Sequence, residues 1–373
     1  MRNFIKRLVV FFYALRIKFI LNRKIAKIYA GLAKKYNPSR SGIKKHYEIW
    51  SDTSIKPNLK WYKVFASVNG IDDPRYVTEI HYYNFIEPVL NNKGFCEAYS
   101  DKNVYHKLLD HSILPAIYLR SIHDSLYDES YSPVSFEEAI NKIPSGIKKL
   151  ITKQATDSGG GRGIFLFERK GDNWLNSSDE VLTSNWLSTM YNTNFVVQEY
   201  VTQHSYFGQF NQSSVNTVRL LTYRSVSDNQ IIPLHAILRI GKPGSVVDNQ
   251  ASGGVSCGIG IGGVLNHFAI DKNGNRYSEI NGVSFAKSPS VYKFAEIVSK
   301  GLMLAPLFIH HRLLGFDFCV DSSGNIRLIE VNNKNNETNF FQMNNGPLFG
   351  DYTDEIISYC RSNRRSFCFD FYL

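Results

Sequence analysis

Gly315-Phe-Asp-Phe-Cys-Val-Asp-Ser-Ser-Gly-Asn-Ile-Arg-Leu-Ile-Glu-Val-Asn-Asn333 is the stretch that decides how the rest of this chain is read. Two alternating runs of β-branched and aromatic residues flank Ser322-Ser323-Gly324-Asn325, a hairpin pattern. With the turn centred between Ser323 and Gly324, Asp317 lies directly across from Glu330. Asn332 follows on the same face, because strand side chains repeat every second residue. Opposed side chains in such a ladder stand roughly 4.5–5.5 Å apart, where like charges repel. Two carboxylates and a carboxamide on one face therefore call for a cation. Hard oxygen donors suit Mg²⁺, which keeps several waters and shares its shell with substrate phosphates. The competing reading is an ordinary solvated face. The pairing depends on the turn, since a three-residue loop would shift the register and break it. Cys319 shares the Asp317 face and reads as a small buried filler.

Length and composition bound the answer. A chain of 373 residues has room for two or three domains with a real core. Its 43% hydrophobic and 20% charged residues describe a folded protein. The net charge of +10 is localised: residues 1–50 carry thirteen Lys/Arg against the single acid Glu48, and the remainder carries 30 basic and 32 acidic groups. The body has no phosphate-tracking surface, so nucleic acid is not an expected partner. Five scattered cysteines, Cys96, Cys257, Cys319, Cys360 and Cys368, form no C-x-x-C pair. They suit reduced thiols in a cytoplasmic protein.

Residues 2–29 read as a helix with Phe4, Leu8, Phe11, Leu15 and Phe19 along one stripe and Arg2, Lys6, Arg16, Arg23, Lys24 and Lys27 broadly opposite. The apolar run over 8–15 is too short to span a bilayer, which takes about 20 residues. Arg16 and Lys18 follow with no small-residue cleavage site, against a signal peptide. A basic, aromatic-rich helix lying on an anionic membrane surface is the expectation, and a helix docked on the chain's own body is the alternative.

Residues 41–100 are rich in Tyr and Trp and read as a small mixed or helical region. Asp101 caps a helix over 103–111, and Ser135-Phe-Glu-Glu begins another with capping-box character. A strand over 148–153 runs into Gln154-Ala-Thr-Asp-Ser-Gly-Gly-Gly-Arg-Gly163, and a second strand follows over 164–167. This strand–glycine loop–strand pattern is a flap whose bare N–H groups can cradle phosphate oxygens. It is neither a Walker loop nor a Rossmann fingerprint, since no Gly-Lys-Ser/Thr and no helix follows. Lys153 ends the first strand. Further strands are expected over 195–201, 216–222 and 234–240, the last two carrying Arg219 and Arg239. A glycine-marked turn covers 247–255, a helix covers 290–304, an Asn-rich loop covers 332–350 and a closing helix covers 352–361.

Taken in order, these motifs resemble the ATP-grasp superfamily, and within it the sugar-transfer-associated (TupA-like) branch. The resemblance rests on Asp101-Lys102, Lys153 before Gly159–Gly163, Gln198-Glu199-Tyr200-Val201, Asn216-Thr217-Val218-Arg219, Arg239, Asp248-Asn249 with Gly253-Gly254, and Asp317…Glu330-x-Asn332. It covers roughly residues 80–360. It implies an α+β fold in which two α+β subdomains, 101–205 and 206–373, clamp ATP, preceded by the basic helical segment 1–40 and the region 41–100. It also implies that Lys102 and Lys153 bind the α- and β-phosphates. Ser158, Gly159, Gly160, Gly161 and Gly163 would close over the triphosphate. Gln198, Glu199, Tyr200 and Val201 would line the adenine slot, with Glu199 the candidate for the ribose. Asp317, Glu330 and Asn332 would hold Mg²⁺. Arg239 would face the γ-phosphate and the acyl phosphate, with Arg219 and Asn249 nearby. In one departure, Gly315 leaves its position without the arginine that some ligases of the superfamily carry there, so Arg239 or Arg219 must substitute or the chemistry differs.

The expected activity is ATP-dependent carboxylate–amine ligation on a sugar acid or amino sugar of a capsule or O-antigen precursor, with an amine or amino acid as second substrate. Two alternatives stay open: a sugar or lipid-head-group kinase on the same fold, and a nucleotide-binding scaffold without catalysis. Acceptor contacts are expected from 41–100 and 335–350.

Overall fold

Two antiparallel sheets and a helical N-terminal region make up the chain, which a computed structural model describes over residues 2–51, 53, 55–156, 161, 163–245, 247–248 and 250–367. The first sheet holds β1 (Ile117–Ile122), β2 (Ser125–Tyr127), β3 (Lys149–Gln154), β4 (Phe165–Lys170), β5 (Asn173–Leu175) and β6 (Phe195–Glu199), in the order β2-β1-β6-β3-β4-β5. The second half contributes β7 (Thr217–Arg224), β8 (Ile231–Ile240), β9 (Val255–Ile259), β10 (Leu265–Ile270) and β11 (Arg276–Tyr277). A short ribbon of β12 (Glu279–Ile280) and β13 (Val283–Ser284) follows, then β14 (Leu313–Val320) and β15 (Ile326–Asn332). The second sheet runs β11-β10-β9-β8-β7-β14-β15.

The period-2 pattern of β7 and β14 explains where a site can form. One face carries Val218, Leu220, Phe316 and Phe318, fully buried with Ile297 and Leu304 of the helix Phe294–Leu304. Each such side chain contributes roughly 1.5–3 kcal/mol by leaving water. The opposite face is split along its length. Leu221, Tyr223, Ile237 and Leu313 join a second apolar cluster, whereas Thr217, Arg219, Arg239 and Asp317 take the polar half beside a cavity.

The hairpin turn differs from the expected one. Asp321 and Asn325 face each other across Ser322-Ser323-Gly324, with the Asp321 N–H on Asn325 O at 2.9 Å and the Gly324 N–H on Asp321 O at 2.9 Å. Gly324 takes φ +86°, which its lack of a Cβ permits. This is the three-residue loop that shifts the register. A bulge shifts it back: Phe318 pairs with Leu328 while Asp317 pairs with Glu330, which leaves Ile329 as the extra residue. Two irregularities cancel, and the carboxylates end up opposed.

The helix starts carry the predicted caps. Asp101 accepts the Asn103 N–H at the start of Lys102–Leu108, and Ser135 and Glu138 form a full capping box before Phe136–Asn141. The regular structure described between 41 and 100 is helical apart from the isolated bridge at Asn91. Trp61, Tyr62, Val64, Phe65 and Tyr76 build their core with Phe268, Ile270 and Met343. The Asn-rich stretch is not all loop, because Thr338–Asn345 is a helix. Asparagine is a poor helix former, so propensity alone argued against it; burial of Phe341 and Met343 and a set of amide hydrogen bonds override that. Gln342 bonds both Val77 N (2.8 Å) and Val77 O (2.9 Å), tying this helix to the N-terminal region.

The first helix, Arg2–Gly31, has two apolar stripes. Ile25, Ile28 and Leu32 are buried on the body and continue the half-buried Val10, Ala14, Ile17 and Leu21. Lys24 pairs with Glu79 at 2.6 Å, and the Tyr13 ring lies 6.5 Å from that of Phe367. The predicted stripe of Leu8, Phe11, Leu15 and Phe19 faces outward instead, joined by Phe12; the side chains of Phe4, Arg2 and Arg7 lie outside the described residues. Phe11, Phe12 and Phe19 are 57%, 60% and 62% exposed. No helix among the described residues is long and apolar enough to cross a membrane. Cys96, Cys257, Cys319 and Cys360 are buried free thiols, and Cys368 lies outside the described residues.

Candidate functional site

Register places the central charges. Asp317 sits opposite Glu330 on one side and opposite Arg219 of β7 on the other. Thr217 is paired in turn with Arg239 of β8. Arg219 grips Asp317 through two bonds, Nε to Oδ1 and Nη2 to Oδ2, both 2.6 Å. Arg239 adds Nη1 to Oδ2 at 2.9 Å and reaches Asp248 Oδ1 at 3.3 Å. The Thr217 hydroxyl donates to Asp248 Oδ2. Asn332 Nδ2 lies 3.4 Å from Asp317 Oδ2. Asp317 is 2% exposed, Arg219 6% and Arg239 7%. Burial disfavours the ionised Asp317 carboxyl, but the two guanidiniums outweigh it and hold its pKa below the usual carboxylate range.

The lysines come from the other half. Lys102 begins its helix with its N–H bonded to Ala155 O at 3.0 Å, just past the end of β3. That contact brings Lys102 and Lys153 to one place. Lys102 Nζ pairs with Glu330 Oε1 at 2.9 Å, and although burial opposes ionisation of Glu330, Lys102 holds its pKa down. Lys153 has no ion-pair partner among the described residues. Burial lowers its pKa first, the Lys102 charge second, to about 7.

These groups line one cavity of about 500 Å³. Its apolar wall is formed by Ile151 and Ile164 from the first half and by Val215, Val247 and Ile329 from the second. The bulge therefore turns its extra residue toward the space between the sheets. Gln198, Glu199, Tyr200 and Val201 border the same space. One Glu199 oxygen accepts the Ala116 N–H at 3.2 Å, so that carboxylate is already partly engaged. Of the flap, Gly161 lines the cavity and Gly163 lies just beyond; both have positive φ, +68° and +70°. A Cβ on Gly161 would come 3.0 Å from Val247, so the flap tip touches the second glycine-marked turn across the cleft. Ser158, Gly159, Gly160 and Asn249 lie outside the described residues.

The structure brings together Lys102, Lys153, Gly161, Gln198, Glu199, Tyr200, Val201, Arg219, Arg239, Asp317, Glu330 and Asn332. At Gly315 a Cβ would stand 2.7 Å from Asn336 Oδ1, so any larger residue there requires the Asn336 side chain to shift, and Arg219 reaches Asp317 from the neighbouring strand. Thr217, Asp248 and Glu337 were not among the sequence-predicted site residues. Glu337 lines the cavity with its carboxylate 3.9 Å from Arg219. It is the only acid between 332 and 350, a pattern that could have singled it out. Ser100 and Asn335 also border the cavity, so the regions expected to meet an acceptor do reach it.

Three buried or half-buried carboxylates, Asp248, Asp317 and Glu330, are matched by Lys102, Arg219 and Arg239. A triphosphate entering this balanced site brings a large negative charge that a divalent cation offsets. Among the described residues no cluster of three or more His, Cys, Asp or Glu stands ready for a metal. An oxygen set for a metal at this place would combine Asp317 and Glu330 with the Asn332 carboxamide beside them. Asp317 Oδ1 receives one hydrogen bond and retains acceptor capacity. A small oxygen set of this kind fits Mg²⁺, which completes its shell with water and phosphate.

No curated protein matches the chain. Among solved structures it is similar to the ATP-grasp ligase PsnB complexed with precursor peptide PsnA2 and AMPPNP (16% identity, 73% of this chain, TM-score 0.40). It is also similar to a biotin carboxylase from Campylobacter jejuni (14%, 70% of this chain and 46% of the other, TM-score 0.42). A third is an L-amino acid ligase from Bacillus licheniformis (10%, 74% and 53%, TM-score 0.41). The chain spans 62% of the length of PsnB. The sequence profile of one family, sugar-transfer associated ATP-grasp, matches residues 83–355, nearly three-quarters of the chain and every described group of the cavity. The chain belongs to the sugar-transfer associated ATP-grasp family.

Proposed function

We propose that this protein is an ADP-forming carboxylate–amine ligase that uses Mg²⁺ and ATP to modify a sugar acid or amino sugar of a surface-polysaccharide precursor, with an amine or amino acid as the second substrate. The observation that carries the reading is the convergence, in one cavity, of two lysines from 101–205 with the carboxylates, carboxamide and arginines of 206–373. These two segments act as the jaws. Lys102 and Lys153 hold the phosphates, and the apolar wall with Gln198–Val201 takes the base. Glu330, Asn332 and Asp317 would hold Mg²⁺, which would supply neutralisation of phosphate charge. Arg239 and Arg219, fixed by Asp317, present positive charge where the transferred phosphoryl group accumulates negative charge. The substrate carboxylate attacks the γ-phosphorus and displaces ADP. The amine then attacks the acyl carbon, loses its proton and expels phosphate. Glu337 at the rim is placed to hold the incoming ammonium. Positioning and charge neutralisation carry the catalysis.

Pooled uronic acids, amino sugars and amino acids incubated with ATP and Mg²⁺ test this. ADP release is expected from at least one pool, with Glu330→Gln lowering it roughly 100-fold. Release no greater than that of the variant in every pool would sink the ligase reading. A phosphorylated product formed without an amine, detected by mass spectrometry, would replace it with a kinase.

The helix Arg2–Gly31 holds the enzyme on the anionic inner face of a membrane. Its outward Leu8, Phe11, Phe12, Leu15 and Phe19 lie among lysines and arginines, complementary to anionic lipid. Flotation with phosphatidylglycerol vesicles is expected to recover the protein at low salt and release it at high salt. Changing Phe11 and Phe19 together to Asp should weaken recovery at least about 10-fold. Equal recovery of wild type and variant would remove the membrane role and leave the ligase reading intact.

A further inference from the structure

The strand β7 carries an arginine at each end. Arg219 faces the nucleotide cavity, and Arg224 lies five residues on, about 16 Å away by strand rise. At that far end a second concavity of about 200 Å³ opens, lined by Arg224, Arg312, Arg365, His310, Asn92 and Asn229 among others, and by no carboxylate among the described residues. The Arg224 N–H bonds Arg312 O at 2.7 Å, so adjacent strand ends present both guanidiniums together. Arg312 Nη1 donates to Ser225 O (2.8 Å), Asn229 Oδ1 (3.2 Å) and Arg224 O (3.3 Å), and its guanidinium lies 5.5 Å from the Tyr359 ring centre. Arg224 Nη2 donates to Ala305 O at 3.3 Å, while its buried Nε has no hydrogen-bond partner.

Every one of these contacts is to a neutral group. Neither Arg224 nor Arg312 makes an ion pair among the described residues, in contrast to Arg219 and Arg239. Burial and then the Arg312 charge push the Arg224 pKa down, as expected for a guanidinium held beside a second cation. A concavity in which the Arg224 and Arg312 forks converge with only neutral contacts recognises an oxyanion, and guanidiniums match phosphate oxygens in pairs.

We infer that this concavity is a binding site for a phosphate or diphosphate group, separate from the nucleotide cavity. Its surroundings bear on where the phosphate comes from. Phe367, two residues from Arg365, accepts from Lys93 through its carbonyl and meets Tyr13 of the first helix. His310 stacks on Phe95 at 3.6 Å, and Phe95 and Ile309 are 40% and 63% exposed. A phosphate on a lipid head group and one on a soluble sugar present the same chemistry to these arginines, the first arriving beside the outward apolar helix.

Calorimetric titration of pyrophosphate into the full chain, its nucleotide cavity saturated with Mg·AMPPNP, reads this site. Wild type is expected to bind, and Arg312→Gln, Arg224→Gln and Arg365→Gln each to weaken binding roughly 10-fold or more, with AMPPNP affinity unchanged. Arg365→Gln lies outside the strands, and thermal melts of all three show whether they fold. Flotation with phosphatidylcholine vesicles, with and without a polyprenyl diphosphate, separates the sources: diphosphate-dependent recovery lost in the variants assigns a lipid, and binding of free pyrophosphate alone assigns a soluble phosphate. Absence of both in wild type, or equal binding by folded variants, overturns the site. Failure of AMPPNP binding would count against the ATP reading alone, since the variants still report on pyrophosphate.

Discussion

Asp317→Asn is expected to abolish ADP formation and to destabilise the fold by about 3–5 kcal/mol, the cost of leaving a buried charge uncompensated. The carboxylate is 2% exposed and satisfies two guanidiniums at 2.6–2.9 Å. The substituted amide keeps one acceptor but turns an NH₂ group toward groups that can only donate. Arg219 and Arg239 then lose both their counter-charge and their fixed direction. Glu330→Gln provides the contrast. Its side chain is 32% exposed, so the replacing amide can meet water, and activity should fall with a smaller loss of stability than in Asp317→Asn. Chemical denaturation read beside ADP release separates the two. If Asp317→Asn melts within about 1 kcal/mol of wild type, the buried Arg–Asp–Arg cluster is not the keystone of this sheet. Because the Asp317 pKa lies below that of the unfolded chain, its stabilisation is present above the ordinary carboxylate pKa and is lost as pH falls through the lower folded value. The variant should lose this part of the acid dependence.

Nucleotide binding is expected to draw a proton onto Lys153. In the empty cavity burial and Lys102 set its pKa at about 7, against 10.5 for the free side chain. Phosphate oxygens beside it restore the charged form. At pH 8 roughly nine in ten empty sites hold a neutral Lys153, so binding takes up close to one proton; at pH 6 the site is already charged and uptake falls to about a tenth or less. Calorimetry of AMPPNP binding in buffers of different ionisation enthalpy measures this directly. Uptake that does not change between the two pH values would show that Lys153 does not meet the phosphates. The same shift acts on stability with a definite sign. Between about pH 7 and 10.5 the unfolded chain holds a proton that the folded chain has released, so this residue makes the empty protein more stable as pH rises through that window. Lys153→Met removes the desolvation cost. It should raise the stability of the empty protein at pH 7 by roughly 1–4 kcal/mol while weakening nucleotide roughly 10- to 100-fold.

Local pattern carried much of the architecture. The alternation in β14 and β15, the Asp101 cap and the Ser135 capping box are short-range consequences of side-chain chemistry, and each is where the sequence placed it. The helix Thr338–Asn345 was illegible because its amides are satisfied by Val77, Ser256 and Glu79, residues far away along the chain. Asp248 stood in a sequence motif and Glu337 was the lone acid of its stretch, but that both line the cavity is a property of the folded chain. The first helix shows the same division. Its outward Phe11–Phe19 stripe is plain in the periodicity, but which of two apolar stripes packs inward depended on the surface formed by Trp61, Tyr62 and Met343.

The hairpin holds both kinds of information. Sequence by itself determined that two carboxylates and a carboxamide share a face, because the strand period fixes which side chains point the same way. Tertiary structure decided that they meet. A three-residue turn moves the ladder by one position and the bulge at Ile329 moves it back, and no local rule links those two events. It also decided what surrounds the pair. Arg219, Arg239 and Lys102 lie 78 to 228 residues from their partners along the chain, and only sheet pairing and the closing of the two halves set their charges within hydrogen-bonding distance.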